Sequence, residues 1–424
     1  MIVVHGLDPH GQPFFETFAE THTQYRFVPH RAPGARTARN VACKEVGIMT
    51  QHFVPSRHPV RAIIAAVAVL SIGLLAGCSS SPPPASGGAG GNPVHMRVAS
   101  YIGMSSPSTI MSQQWTDLVT DYTDGDVTFE WFLSESLLPA AEILAGVGNG
   151  TVEMGLAAHG YHPGELPLYQ AVAVGFVSAN SQAVTATLRD FYESNDAFKA
   201  EWDTNNVRPL LDATMGSVVL GCNFPVDGID DLKGKNIRAA GLGTADFTSI
   251  GANVVAVTAP DTLDAFDRGV IDCWSSLDLA LANDIGLTQI TPYVYDYGRG
   301  TPGGQNLIIS QDVWDSLSDS QRDAMERATD EVYEEYFTTT LGAAALAGCD
   351  AIKEGGGTMS SLSDSAEAEW KALAGPANAK RFLEVAGADG QKFLDEYTSA
   401  VQENEAEFDS YVDPDVTCAE RFQG

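Results

Sequence analysis

The sequence predicts an α/β protein of two lobes bridged by one long helix, and three observations carry that expectation. From Val94 onward, strand-like and helix-like segments alternate, the pattern of sheets covered by helices. The chain has 424 residues, more than one small core accommodates, so two domains plus accessory segments are expected. Late in the chain a helical pattern continues for about 35 residues, or about 50 Å, longer than one small domain is wide.

The elements follow in order. His95 to Ile102 alternates as a strand, and Ser108 caps a helix to Asp121 with Ile110, Trp115, Leu118 and Val119 at helical spacing. Val127 to Leu133 is the next strand, Leu138 to Val147 a helix, and Thr151 to Ala157 a strand. Val207 to Cys222 divides into two strands at Met215-Gly216, and short strands follow at Lys235–Ala239, Asn253–Val257 and Val270–Trp274. Gln305 to Ser310 is an apolar strand closed by Trp314. Ser318-Asp-Ser-Gln321 then supplies an S-x-x-Q capping box. The long helix after it carries Ala324, Ala328, Val332 and Tyr336 every fourth residue and stops at Gly355-Gly-Gly357.

Composition narrows function. With 44% hydrophobic and 19% charged residues the chain folds rather than staying disordered. A formal charge of −31 removes nucleic acid as a partner, because phosphate contacts need clustered Lys and Arg, and disfavours adhesion of the body to anionic lipid. Neither a G-x-S-x-G elbow, an H-E-x-x-H pair nor a phosphate-binding glycine loop is present, so no enzyme class is indicated and no cofactor is expected. His159, His162 and Glu165 share a three-residue spacing, but Gly160, Pro163 and Gly164 break any helix that would present them together, so no metal site is expected.

The first 77 residues hold seven Lys/Arg and four Asp/Glu, against 17 and 51 in the remainder. Arg57 and Arg61 precede an apolar run from Ala62 to Leu75, within signal-peptide length and too short to span a bilayer. Leu75-Ala-Gly-Cys78 resembles a bacterial lipobox, which implies lipidation of Cys78 and anchoring to the outer face of the cytoplasmic membrane. Residues 1–48 fit no export scheme and are expected to be a mis-called or unstructured extension, with translation starting at Met49 and a signal peptide over 49–77. Residues 78–93, rich in Ser, Pro and Gly, read as a tether.

Export places the remaining cysteines of the body, Cys222, Cys273, Cys349 and Cys418, in an oxidising compartment. Four cysteines allow three pairings. Cys222–Cys273 with Cys349–Cys418 is the expected one, and buried free thiols are the alternative.

Asp231-Leu-Lys-Gly-Lys-Asn-Ile-Arg238, Gly269-Val-Ile-Asp272, Gly150-Thr-Val-Glu-Met-Gly155 with Glu165-Leu-Pro167, and Trp314 to Gln321 occur in one order. This ordered set resembles the solute-binding proteins of tripartite ATP-independent periplasmic (TRAP) transporters. The resemblance implies a flytrap fold: lobe I over 94–215 plus 303–340, and lobe II over 216–302 plus 341–424. It implies capture of a small carboxylate for membrane permease subunits, with Arg238 gripping the carboxylate. A guanidinium suits this task because two parallel N–H groups match the two carboxylate oxygens; a surface arginine paired with one of the many acids is the competing reading. Ser276 falls where the family carries a polar ligand residue, with Trp274 beside it. Tyr101, His159 and Tyr161 follow first-lobe strands and are further ligand-binding candidates. Ala239-Ala240 and Cys273 depart from the family pattern. Val218 and Val219 stand where a second ligand-binding arginine would be on the first crossing strand. The substrate expected is therefore a small or more apolar monocarboxylate. A ligand-sensing lipoprotein feeding a receptor is the alternative function, with an exported hydrolase behind it.

Overall fold

The computed structural model describes residues 92–423 and, before them, the strands β1 (Val4–Leu7) and β2 (Pro13–Phe15), which pair antiparallel. The expected signal peptide, Cys78 and most of the tether lie outside the described residues.

The body after β2 is built on two sheets. The first joins β3 (Val94–Ser100), β4 (Val127–Phe132), β5 (Met154–Ala158), β6 (Val207–Thr214) and β12 (Gly304–Ser310) in the order β4-β3-β5-β12-β6. The second joins β7 (Val219–Cys222), β8 (Asn236–Arg238), β9 (Asn253–Val255), β10 (Cys273–Leu277), β11 (Tyr293–Asp296) and β13 (Thr358–Ser361) in the order β13-β11-β7-β10-β8-β9. Each sheet mixes parallel and antiparallel pairs: β3 runs parallel to β4 and β5, while β12 runs antiparallel to β5 and β6. Helices cover their faces because these strands are buried on both sides, as the all-buried pattern of β12 shows. The mixed α/β architecture with two lobes agrees with the expected fold class.

Two extended crossings link the sheets, at Met215–Val218 and at Tyr297–Gly303. These crossings bond to each other: Met215 N–H donates to Gly303 O at 3.1 Å, and Val218 N–H to Gly300 O at 3.1 Å. Two adjacent backbone segments of this kind are short enough to hinge and paired enough to keep register.

The long helix forms as its capping box predicts. Ser318 accepts from Gln321 N–H, and the Gln321 side chain accepts from Ser318 N–H, at the start of α9 (Asp319–Glu335). A π-helical turn at Tyr336–Thr340 joins α9 to α10 (Leu341–Glu354). On the first lobe α9 packs against α1 (Pro107–Tyr122), and on the second α10 packs against α7 (Leu279–Asp284), so the helix spans both. The π turn, a local change of winding, falls between those two contacts.

Three helices that the sequence patterns did not single out complete the first lobe. α3 (Ser181–Ser194) and α4 (Asp196–Thr204), each capped by an Asn side chain, pack on β6, and α12 (Gly390–Glu407) packs on α3. Phe393 stacks on Phe198 at 5.7 Å and meets Phe191 edge-on at 5.4 Å. This corrects the expected membership of 341–424 in lobe II: α12 returns to the first lobe because its aromatic face is buried there. α11 (Asp364–Ala386) packs on α5 (Thr244–Thr248) of the second lobe.

Both expected disulfides are present. Cys222–Cys273 joins neighbouring strands β7 and β10 with Cα atoms 4.1 Å apart. Cys349–Cys418 ties α10 to α13 (Pro414–Gln423) with Cα atoms 5.7 Å apart.

Candidate ligand-binding site

Where the strands of both lobes end against the crossings lies a cleft of about 80 Å³, the position that open α/β sheets reserve for ligands. Five of the six sequence-predicted ligand residues border it: Arg238, Ser276, Tyr101, His159 and Tyr161. These come from strand ends and first turns on opposite lobes, so the topology rather than sequence proximity assembles them.

Arg238 ends β8 and is 1% exposed. Its Nη1 donates to Ser275 O at 2.8 Å and its Nε to Val257 O at 3.2 Å, both backbone carbonyls. No carboxylate among the described residues is in ion-pair range of it. Burial lowers its pKa, and the phenol oxygens of Tyr161 and Tyr101 work in the opposite direction. Even so, an arginine stays cationic at neutral pH. The cleft therefore holds a desolvated positive charge without its own counter-ion.

Ser276 occupies the left-handed region at φ 59°, a conformation that costs a non-glycine residue energy and clusters at ligand sites. Its Oγ accepts from Ala240 N–H at 3.2 Å, tying the end of β10 to the chain just after Arg238. Trp274 does not join this group, which corrects its assignment as a ligand residue. The ladder between β10 and β7 shifts register between Trp274 and Leu277, so simple alternation no longer places residues 274 and 276 on one face. Trp274 is fully buried, with Nε1 donating to Thr291 Oγ1 at 2.9 Å and its indole lying over Gly221. Any side chain at Gly221 would occupy that indole's space; the tryptophan serves packing.

From the first lobe, Tyr101 is buried and its hydroxyl accepts from Gln305 Nε2 at 3.0 Å. Its ring meets Tyr161 edge-on at 5.8 Å. The Tyr161 hydroxyl crosses the cleft to accept Ala259 N–H of the second lobe at 3.1 Å. His159 is held by Gly304 O at 3.2 Å from Nδ1, and burial pushes its pKa down to about 4, so it is neutral at physiological pH. Loop residues close the remaining side. Gly241 lies at φ +54°, a left-handed conformation that glycine adopts without strain.

Arg299 also borders the cleft, from the second crossing. The sequence reading looked for a second arginine only on the first crossing, where Val218 and Val219 are fully buried. A polar Tyr297-Gly-Arg-Gly300 run before an apolar strand was the available signal.

Residues 98–384 match the family "Bacterial extracellular solute-binding protein, family 7". The chain belongs to that family. The resemblance to TRAP solute-binding proteins seen in its motifs is thereby borne out, and the family is one of extracellular binding proteins. A monocarboxylate 2-oxoacid-binding periplasmic protein of Nostoc sp. is 26% identical over 216 residues, covering 50% of this chain and 58% of that protein. A marine metagenome TRAP solute-binding protein specific for aromatic acid ligands, solved with metahydroxyphenylacetate, superposes at TM-score 0.67. It has 19% identity, over 74% of this chain and 99% of its own. A Bordetella pertussis extracytoplasmic solute receptor binding pyroglutamic acid superposes at TM-score 0.64 with 23% identity, over 72% and 99%. These likenesses establish the fold of this solute-binding protein. No helix among its described residues is long and apolar enough to cross a membrane.

Proposed function

We propose that this solute-binding protein captures a small monocarboxylate by lobe closure and hands it to the permease subunits of a TRAP-type transporter. The observation that carries the reading is the buried guanidinium of Arg238, set between two lobes with only backbone carbonyls and phenols around it. An ion removed from water is tolerated when a partner of opposite charge completes it. A carboxylate entering the open cleft supplies that partner, and hinge motion about the paired crossings then seals the ion pair from solvent. The aromatic walls of Tyr101 and Tyr161 suit an apolar body on the acid.

The same reading gives the chain no catalytic step: it binds, encloses and releases. Lipidation at Cys78 and a flexible tether over 78–93 would hold the body near its permease at the outer face of the cytoplasmic membrane.

Isothermal titration of the purified body against a carboxylate set tests the reading. Arg238→Ala is expected to weaken the best ligand by roughly 2–5 kcal/mol, because one half of a buried charge pair is left alone. An unchanged dissociation constant would refute it.

A further inference from the structure

Arg299 presents a second donor at the cleft. It is 2% exposed. Its Nε donates to Asp246 Oδ2 at 2.6 Å and its Nη2 to Ala173 O at 2.8 Å. Nη1 is sealed from solvent and has no hydrogen-bond partner among the described residues. A buried guanidinium N–H left unbonded is costly, and one belonging to a wall of a ligand cleft marks where a ligand atom completes the set.

The surroundings define the kind of atom. Asp246 is fully buried and is held from behind by Asn378 Nδ2, while Trp370 Nε1 donates to its backbone oxygen at 3.0 Å. Arg299 and Asp246 thus form a closed neutral pair. His159 is neutral. Asp278 stands behind the wall, bonded by the N–H groups of Gly216 and Leu281 at 2.8 Å each, and burial raises its pKa. Arg238 is therefore the one cation of the wall without a carboxylate among the described residues, and it calls for a single ligand charge. What Arg299 Nη1 calls for is an uncharged acceptor.

The two arginines flank one spot. Arg238 Nη1 lies 3.5 Å from Ser276 O. A methyl group built on Gly243 would stand 2.5 Å from Ser276 Oγ and 3.7 Å from Arg299 Nη2. That crowding excludes a side chain at Gly243, and both arginines line the same cleft. We propose that Arg299 is a specificity residue whose Nη1 binds a second, uncharged oxygen of the ligand. The ligand class is then a monocarboxylate with an oxo, lactam or hydroxyl oxygen near the acid. This deepens the carboxylate reading above and rests on it.

Matched acids differing in that one oxygen provide the test: pyroglutamate against cyclopentanecarboxylate, and pyruvate against propionate, by isothermal titration. The wild-type protein is expected to prefer the oxygen-bearing member of at least one pair on the order of tenfold, the strength of a hydrogen bond to a charged group. Arg299→Lys keeps a positive charge facing Asp246 but lacks the fork. It is expected to abolish the preference, read as the ratio of the two dissociation constants within each pair. Should that variant fail to fold, Arg299→Gln combined with Asp246→Asn removes the buried pair as a unit and is expected to give the same loss. Plain acids binding as tightly as their partners in the wild type, or a preference that survives in a folded variant, overturns the assignment to Arg299 and leaves the carboxylate reading intact. No binding of any acid overturns both.

Discussion

Burying a guanidinium without a carboxylate costs several kcal/mol, and at Arg238 the fold carries that cost, which on the proposed reading a ligand carboxylate relieves. Arg238→Met is accordingly expected to raise the melting temperature of the ligand-free protein while abolishing ligand-induced stabilisation, checked by calorimetry with and without ligand. Glu201 shows the opposite sign of residue. Burial raises its pKa to about 7, against the N–H groups of Leu168 and Tyr169 that lower it. Its folded form holds a proton that the unfolded chain releases near 4.5, so its contribution is complete below that value and is lost as pH rises to about 7. Asp212 and Asp413, pushed up to about 6 by burial, act alike, and His159 opposes them below its ordinary value. Glu201→Gln is expected to flatten the fall in melting temperature between about pH 4.5 and 7, measured by thermal scans. At this scale Arg238 was legible because a motif and a strand end coincide on it. Trp274 misled because a left-handed residue two positions on breaks the alternation that sequence reading assumes, and no residue type announces that break.

Among elements, the legible ones carry their own signals: the capping box at Ser318, the alternation of β3, and the glycine stop after α10. β11 and β13 were less so, being four residues each with polar ends, too short for a period to emerge. α12 was placed in the wrong lobe since its aromatic face says that it is buried, not against what. The disulfides act at this level as well. Cys222–Cys273 pins β7, which leads directly from the first crossing, to β10, whose end forms the cleft wall. Closing a loop over a separation of 51 residues constrains the unfolded chain by about 4 kcal/mol in the chain-entropy account. Replacing both cysteines with Ala is expected to lower unfolding free energy by about 2–4 kcal/mol in urea titrations. The same change is expected to weaken ligand through looser placement of Ser276. Loss at Cys349–Cys418, far along α10, is expected to lower stability and spare affinity.

For the whole molecule, the relation of the lobes matters most. Tyr161 bridges them by a hydrogen bond from Ala259 N–H, so the described arrangement is the closed one. Tyr161→Phe removes a cross-cleft bond of about 1 kcal/mol. It is expected to shift ligand-free protein toward an open form, visible as a larger radius of gyration by solution scattering, and to weaken binding about fivefold.

The enclosure of Arg238 has a kinetic corollary. A chain of net charge −31 repels an approaching anion, and that repulsion acts through solvent, where counter-ions damp it beyond about 8 Å at physiological ionic strength. On the proposed reading, the ion pair with Arg238, a side chain 1% exposed, forms out of reach of dissolved ions. Added salt should thus hasten the ligand's arrival and leave its residence time alone, the reverse of a site where surface charge draws the ligand in.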